Sequence, residues 1–198
     1  MSHKQPQGST LPPIARSAIA RALGRSHEAV ESAPWLQQLG ASFVTLTQQG
    51  QLRGCIGSLQ AYRSLLVDVK ANAVAAALRD PRFAPLTAQE LDVTQIEVSV
   101  LSATQPLTFS SEAEALAQLR PGVDGVVLEY GRYRSTVLPQ VWEQLPSVSE
   151  FMAHLKNKAG LPAQFWATEL KLQRYTVSKY KESDLLPDAL ASDQAGKS

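Results

Sequence analysis

The sequence predicts an α+β fold in which antiparallel pairing dominates. Three observations lead there. The elements follow the order helix, hairpin, helix, strand, helix, hairpin, helix, strand, which mixes strands and helices without a regular βαβ repeat. Gln95 to Leu101 alternates cleanly, with Ile96, Val98 and Val100 on one side and Gln95, Glu97 and Ser99 on the other, the mark of a half-buried strand. Two further segments pair with a neighbour through short glycine-containing loops.

The elements follow in order. Residues 1–10 are polar and expected to be mobile. Pro12 and Pro13 suit a helix's first turn; Ile14, Ala18, Ile19, Ala22 and Leu23 then share one face, and Gly24 is the stop. Residues 25–40 read as a connection, with Trp35 and Leu36 docked on the core. Phe43 to Thr47 is β-rich, Gln48-Gln49-Gly50-Gln51 is a turn, and Leu52 to Leu59 is the returning strand. Ser64 to Arg79 is a helix with a narrow face of Leu66, Val69, Ala73, Ala76 and Ala77. Asp80-Pro81 ends it, because a residue before proline is pushed out of helical geometry.

Arg82 to Leu86 is a loop with Phe83 and Leu86 as anchors, and Thr87 to Glu90 matches a capping box. Ser111 to Glu114 is a second box, opening a helix that Pro121-Gly122 stops. Val126 to Tyr130 and Arg132 to Leu138 form a hairpin about Gly131. Ser147 to Glu150 is a third box, before a helix with Phe151, Met152, Leu155 and Ala159 on one face. Leu170 to Tyr180 is a last strand, whose apolar phase slips between Leu172 and Tyr175 as at a bulge. Residues 186–198 read as a flexible tail.

The 198 residues are 44% hydrophobic and 19% charged, enough for a sizeable core, and the net charge of +1 gives no global pull on nucleic acid or anionic lipid. No apolar run approaches the roughly 20 residues that span a bilayer, and the polar start lacks the apolar core of a signal peptide. One cysteine cannot form an internal disulfide, which suits a reducing compartment. The expected setting is cytoplasmic, without membrane or nucleic-acid partners. Metal spacing and a phosphate loop are missing, so no metal site is expected and the residues imply no cofactor.

The stretch with most chemical content is Leu52-Arg53-Gly54-Cys55-Ile56-Gly57. On a regular strand Leu52 and Ile56 share one face, and Arg53 and Cys55 share the other. Cys55 would then look away from the core beside a fixed positive charge, in a groove that Gly54 and Gly57 leave open. As a nucleophile, the thiolate would be favoured by Arg53, but it needs a base. His154 is the nearest candidate by type, on the flank of its helix, and His27 and His3 are poorer ones. The competing reading makes Cys55 a small apolar filler and His154 a solvated helix residue. Asp80 and Arg82 either clamp an anionic ligand or pair locally and hold their loop. Arg132 and Arg134 fit a solvated hairpin face, and Lys156 and Lys158 complement a helix C-terminus.

Leu-Arg-Gly-Cys-Ile-Gly at 52–57 resembles the signature of the AMMECR domain family, which in bacteria and archaea includes the AmmeMemoRadiSam system protein A group. Further blocks resemble the family in order: Phe43 to Leu46, Asn72-Ala73 with Ala75 to Ala77, Asp80 to Phe83 with Pro85-Leu86, Glu97 to Leu101, Gly125 to Leu128, Leu138 to Val141 and Lys158 to Leu161. The resemblance covers about 11–183. It departs at Arg134 to Val137, where the family tends to carry a phenylalanine before Leu-Pro-Gln. It implies a larger and a smaller lobe, the smaller within about 82–145, with the signature near the cleft between them. It also implies partnership with a Memo-like protein related to extradiol dioxygenases and with a radical S-adenosylmethionine protein. It implies no settled activity. Two functions therefore stand open: a binding module with a groove at Arg53–Gly57, in which Arg53, Gly54, Gly57, Asp80 and Arg82 make the contacts, and a cysteine-dependent enzyme or enzyme subunit that uses Cys55, with His154 as base, on a small molecule or a modified protein side chain.

Overall fold

The computed structural model describes residues 6–185. The chain divides into two compact units: the first runs to Val100 and resumes at Lys179, and the second is Leu101–Ser178. The fold is α+β.

In the first unit, helix α1 (Pro6–Ala22) and helix α2 (Leu65–Leu78) pack with strands β1 (Leu39–Gln48), β2 (Gln51–Gly57), β3 (Arg63–Ser64), β4 (Gln95–Leu101) and β9 (Val177–Lys181). The sheet order is β2-β1-β4-β9, with β3 paired to the start of β1. The core joins Leu11, Ile14 and Ile19 of α1 to Val44, Leu46, Val69, Ala73, Ala76, Ile96 and Val98. The β1–β2 turn has positive φ at Gln49 and Gly50 (50° and 77°), the geometry whose twist matches a two-residue hairpin.

The second unit holds β5 (Gln105–Pro106), α3 (Glu112–Ala117), β6 (Gly125–Tyr130), β7 (Tyr133–Val137), α4 (Val148–Lys158) and β8 (Lys171–Tyr175), with sheet order β5-β8-β6-β7. Its core includes Leu128, Trp142, Phe151, Leu155 and Leu172, and the Trp142 and Phe151 rings stack 3.8 Å apart. Ser111 and Ser147 are the N-caps of α3 and α4, whereas Thr87 stands ahead of a 3-10 turn (Glu90–Val93) whose N-cap is Gln89. The Thr87, Ser111 and Ser147 hydroxyls each accept the backbone N–H three residues on.

Four expectations change. Residues 6–10 are not a mobile tail but the first turns of α1, because the Tyr180 ring of β9 lies against Gly8 and its hydroxyl donates to Gln7. Residues 1–5 and 186–198 lie outside the described part. The phase slip near 172–175 is not a bulge. Strand β8 ends at Tyr175, and at Val177 the chain enters the other sheet as β9. Between them Thr176 exchanges bonds with Ser102: its carbonyl accepts the Ser102 N–H and its N–H donates to the Ser102 hydroxyl. The second unit is also later and longer than the lobe expected within about 82–145. Leu86, Leu91 and Ile96 join the first core, while Phe151, Leu155, Leu170 and Leu172 join the second. Finally, Lys156 does not serve as a surface charge. It is fully buried, with its ammonium on Glu112 at 2.7 Å and the Ala163 carbonyl at 3.2 Å.

Candidate functional site around the β2 signature

The register of β2 against β1 fixes the site. Leu46 pairs with Gly54, but Thr47 pairs with Leu52, so Arg53 is the extra residue of a bulge. A bulge resets the alternation. Leu52 therefore does not share a face with Ile56: it is 43% exposed, while Ile56 packs on the first core. Cys55 faces away from that core as expected. Its partner is Thr45, whose neighbours Val44 and Leu46 are fully buried on the other side of the strand.

The expected Arg53–Cys55 neighbourhood is also corrected. The bulge directs Arg53 onto Glu90, with Nε and Nη2 reaching the carboxylate at 3.1 and 3.4 Å. Its Nη1 donates to the Ala84 carbonyl at 3.0 Å, and the guanidinium lies 5.9 Å from the Phe83 ring centre. Glu90 is held below the usual carboxylate range, first by the Thr87 backbone N–H and then by the Thr87 hydroxyl and Arg53, against the opposing effect of desolvation.

The guanidinium that touches Cys55 belongs to Arg82, and it touches backbone. Arg82 Nη2 donates to the Cys55 carbonyl at 3.2 Å, and the Cys55 N–H donates to Asp80 Oδ2 at 2.9 Å. Arg82 and Asp80 are themselves bidentate, at 2.9 and 2.7 Å. The Arg82 side-chain bond is the main cause that holds the Asp80 carboxyl far below its ordinary range; burial opposes it, and the Cys55 and Arg82 backbone N–H groups add to it. Asp80 and Arg82 thus form a local ion pair.

Both signature glycines are explained by close approach. A Cβ on Gly54 would lie 2.2 Å from the Ala76 carbonyl oxygen of α2, and one on Gly57 would lie 2.2 Å from the Phe43 ring. The open space expected there is filled by helix backbone and by an aromatic side chain.

The thiol of Cys55 is half-buried, and its Sγ lies 3.3 Å from Thr45 Oγ1. Within the first unit no described histidine hydrogen-bonds it. His27 contributes its carbonyl to Ser17, and its Nδ1 is buried without a partner. His154 is exposed on α4 of the second unit, and His3 lies outside the described residues. Next to the bulge, a shallow groove of about 370 Å³ is lined by Gln48, Gln49, Gln51, Leu52, Arg53, Phe83 and Val93. Val93 is 66% exposed.

Sequence reasoning missed a second polar cluster at the far end of β2. Asp68 of α2 is fully buried, yet accepts from the Ser42 N–H and hydroxyl, the Ser58 hydroxyl, Arg63 Nε and Asn72 Nδ2. Asp68, Asn72 and Ala76 recur every four residues on α2, a spacing that keeps one side of a helix. Asp68 and Asn72 reach Ser58, just past β2, and Ala76 reaches Gly54; Asp80, beyond the helix end, reaches Cys55. The available signal was this spacing of two polar residues in line with a small one that faces the sheet.

Among the described residues no helix is long and apolar enough to cross a membrane, and no group of three or more His, Cys, Asp or Glu could hold a metal ion.

Comparison with known proteins shows the family. Protein MJ0810 of Methanocaldococcus jannaschii is 34% identical over 185 residues, covering 89% of this chain and 90% of that one. A Thermotoga maritima protein is 36% identical over 162 residues, covering 80% and 88%. The crystal structure of the uncharacterized protein PH0010 from Pyrococcus horikoshii superposes with a TM-score of 0.72 at 32% identity, over 88% of this chain and 91% of that one. The profile named AMMECR1 matches residues 12–180, and with it the chain belongs to the AMMECR1 family.

Proposed function

We propose that this chain is a binding module of the AmmeMemoRadiSam system. In this reading the groove beside the Arg53 bulge, which Gly54 to Gly57 do not line, is presented to a Memo-like or radical S-adenosylmethionine partner. One observation carries the reading: the signature's polar groups are spent on the fold. Arg53 is bound to Glu90 and Ala84, and the Cys55 backbone to Asp80 and Arg82. What remains open is the shape beside them, where Leu52 and Val93 present apolar surface next to three glutamine amides. Apolar surface rimmed by polar groups is typical of a docking site.

The alternative, a cysteine-dependent enzyme, draws on the half-buried thiol with the Thr45 hydroxyl beside it. A hydroxyl can donate to a thiolate but does not serve as the base that would generate one at neutral pH. Two experiments separate the readings. Capture of a Memo-like partner survives Cys55→Ser and weakens with Arg53→Ala in the binding reading. Loss of neither would remove the groove as the contact. Titration with iodoacetamide gives half-maximal reactivity near the free-thiol value of about 8.5 if Cys55 is not a nucleophile. A clearly lower midpoint would favour the enzyme.

A further inference from the structure

Strand β2 ends its sheet, so its outer edge has no strand beside it. Such an edge is a template for another chain. A strand laid there would offer a carbonyl to one backbone N–H and an N–H to the matching carbonyl. At Cys55 both positions are already taken, by Asp80 Oδ2 and by Arg82 Nη2. Two side chains thus imitate the strand that is missing. The imitation is rigid, since Asp80 Oδ1 also accepts the Arg82 backbone N–H at 3.1 Å and the two side chains are bidentate. Two residues away, the bond from Arg53 to the Ala84 carbonyl ties the following loop to the same strand.

We propose that the Asp80–Arg82 pair is an edge guard that keeps β2 from pairing with β2 of a second copy of this chain. The self-pairing partner follows from the strand itself. β2 (Gln51–Gly57) contains no proline, and its one charge, Arg53, is already bound to Glu90, so past the bulge the strand has no free charge of the kind that blunts an exposed edge. Identical strands pair antiparallel about a two-fold axis, and pairing centred on Cys55 needs only the two groups that the guard now holds. An incoming strand would have to displace Asp80 Oδ2 from the Cys55 N–H and Arg82 Nη2 from the Cys55 carbonyl together, and hydrogen bonds to charged groups are the costlier ones to give up.

The test uses the full chain with Arg82→Ala, and with Asp80→Asn combined with Arg82→Ala. Cys55 is the only cysteine, so dimers formed by a short bis-maleimide report one Cys55 beside another. The native chain is expected to give little such dimer, and both variants are expected to give more, rising with protein concentration. Variants that keep the native circular dichroism and give no more dimer than the native chain would overturn the proposal. A measurement on the native chain stands independently of variant folding: amide hydrogen exchange at Cys55 should be as slow as at Ile56, despite the edge position. Rapid exchange at Cys55 would show an unguarded edge and would also overturn it.

Discussion

Gly54 and Ala76 meet backbone to backbone. The Ala76 carbonyl oxygen sits where a side chain on residue 54 would begin. The contact explains both the glycine in the strand and the run of alanines on α2, since only small residues let helix and strand come this close. It also makes residue 54 a sensitive position, because the blocking atom is main chain and cannot rotate away. Gly54→Ala is expected to cost about 1–3 kcal/mol, toward the upper end for a backbone clash. Urea unfolding should show the loss, and a native midpoint would contradict it.

Asp80→Asn removes the charge from the guard and keeps its size. The expected loss is about 2 kcal/mol at neutral pH, in the range for hydrogen bonds to charged groups. The folded pKa of Asp80 is depressed. Its contribution is therefore complete above the ordinary aspartate value of about 4 and is lost as pH falls from there toward the folded value. Asparagine does not titrate, so the difference between native and variant should narrow on acidification. Thermal melts at a series of pH values check this. A gap that widens at low pH would mean that Asp80 is not held as an ion.

Asp68→Ala should be more damaging. It strands the Ser42 N–H and takes an acceptor from the Asn72 amide and from Arg63 Nε, leaving a hole. Breaking a buried pair by removing one member costs about 3–5 kcal/mol. Asp68→Asn is expected to recover little, because its NH2 group would face donors. Melting temperatures of the two variants measure this directly, and a near-native value for Asp68→Ala would show that the cluster is not structural.

Leu52→Glu tests the opposite kind of site. The bulge at Arg53 turns Leu52 outward, so the substitution should change stability by less than about 0.5 kcal/mol, as for other surface positions. A large destabilisation would mean that Leu52 is a core residue after all.

The residues that were legible in the sequence are those whose reasons are local. Thr87 with Glu90, Ser111 with Glu114 and Ser147 with Glu150 announce their hydrogen bonds within four residues, and Gln49-Gly50 announces its turn. The outward aspect of Cys55 was legible as well, because it pairs on the regular part of β2. What was not legible depends on partners far along the chain. The bulge at Arg53 exists only in the register with Thr47 and Leu46. The order of residues 6–10 depends on Tyr180. A slip in apolar phase looks the same whether the chain bulges, as expected near Leu172, or changes sheet, as it does after Tyr175. The buried role of Asp68 and Asn72 was not legible because burial of an acid needs several donors, and those come from β1, the segment after β2, and β3.

In the proposed reading the groove, and not the thiol, is what this chain offers to a partner. The most direct measurement is calorimetric titration of a purified Memo-like protein with the native chain, Cys55→Ser and Leu52→Glu. Cys55→Ser is expected to bind like the native chain, and Leu52→Glu at least about tenfold more weakly, or 1.4 kcal/mol. Native affinity in Leu52→Glu, together with lost binding in Cys55→Ser, would contradict it.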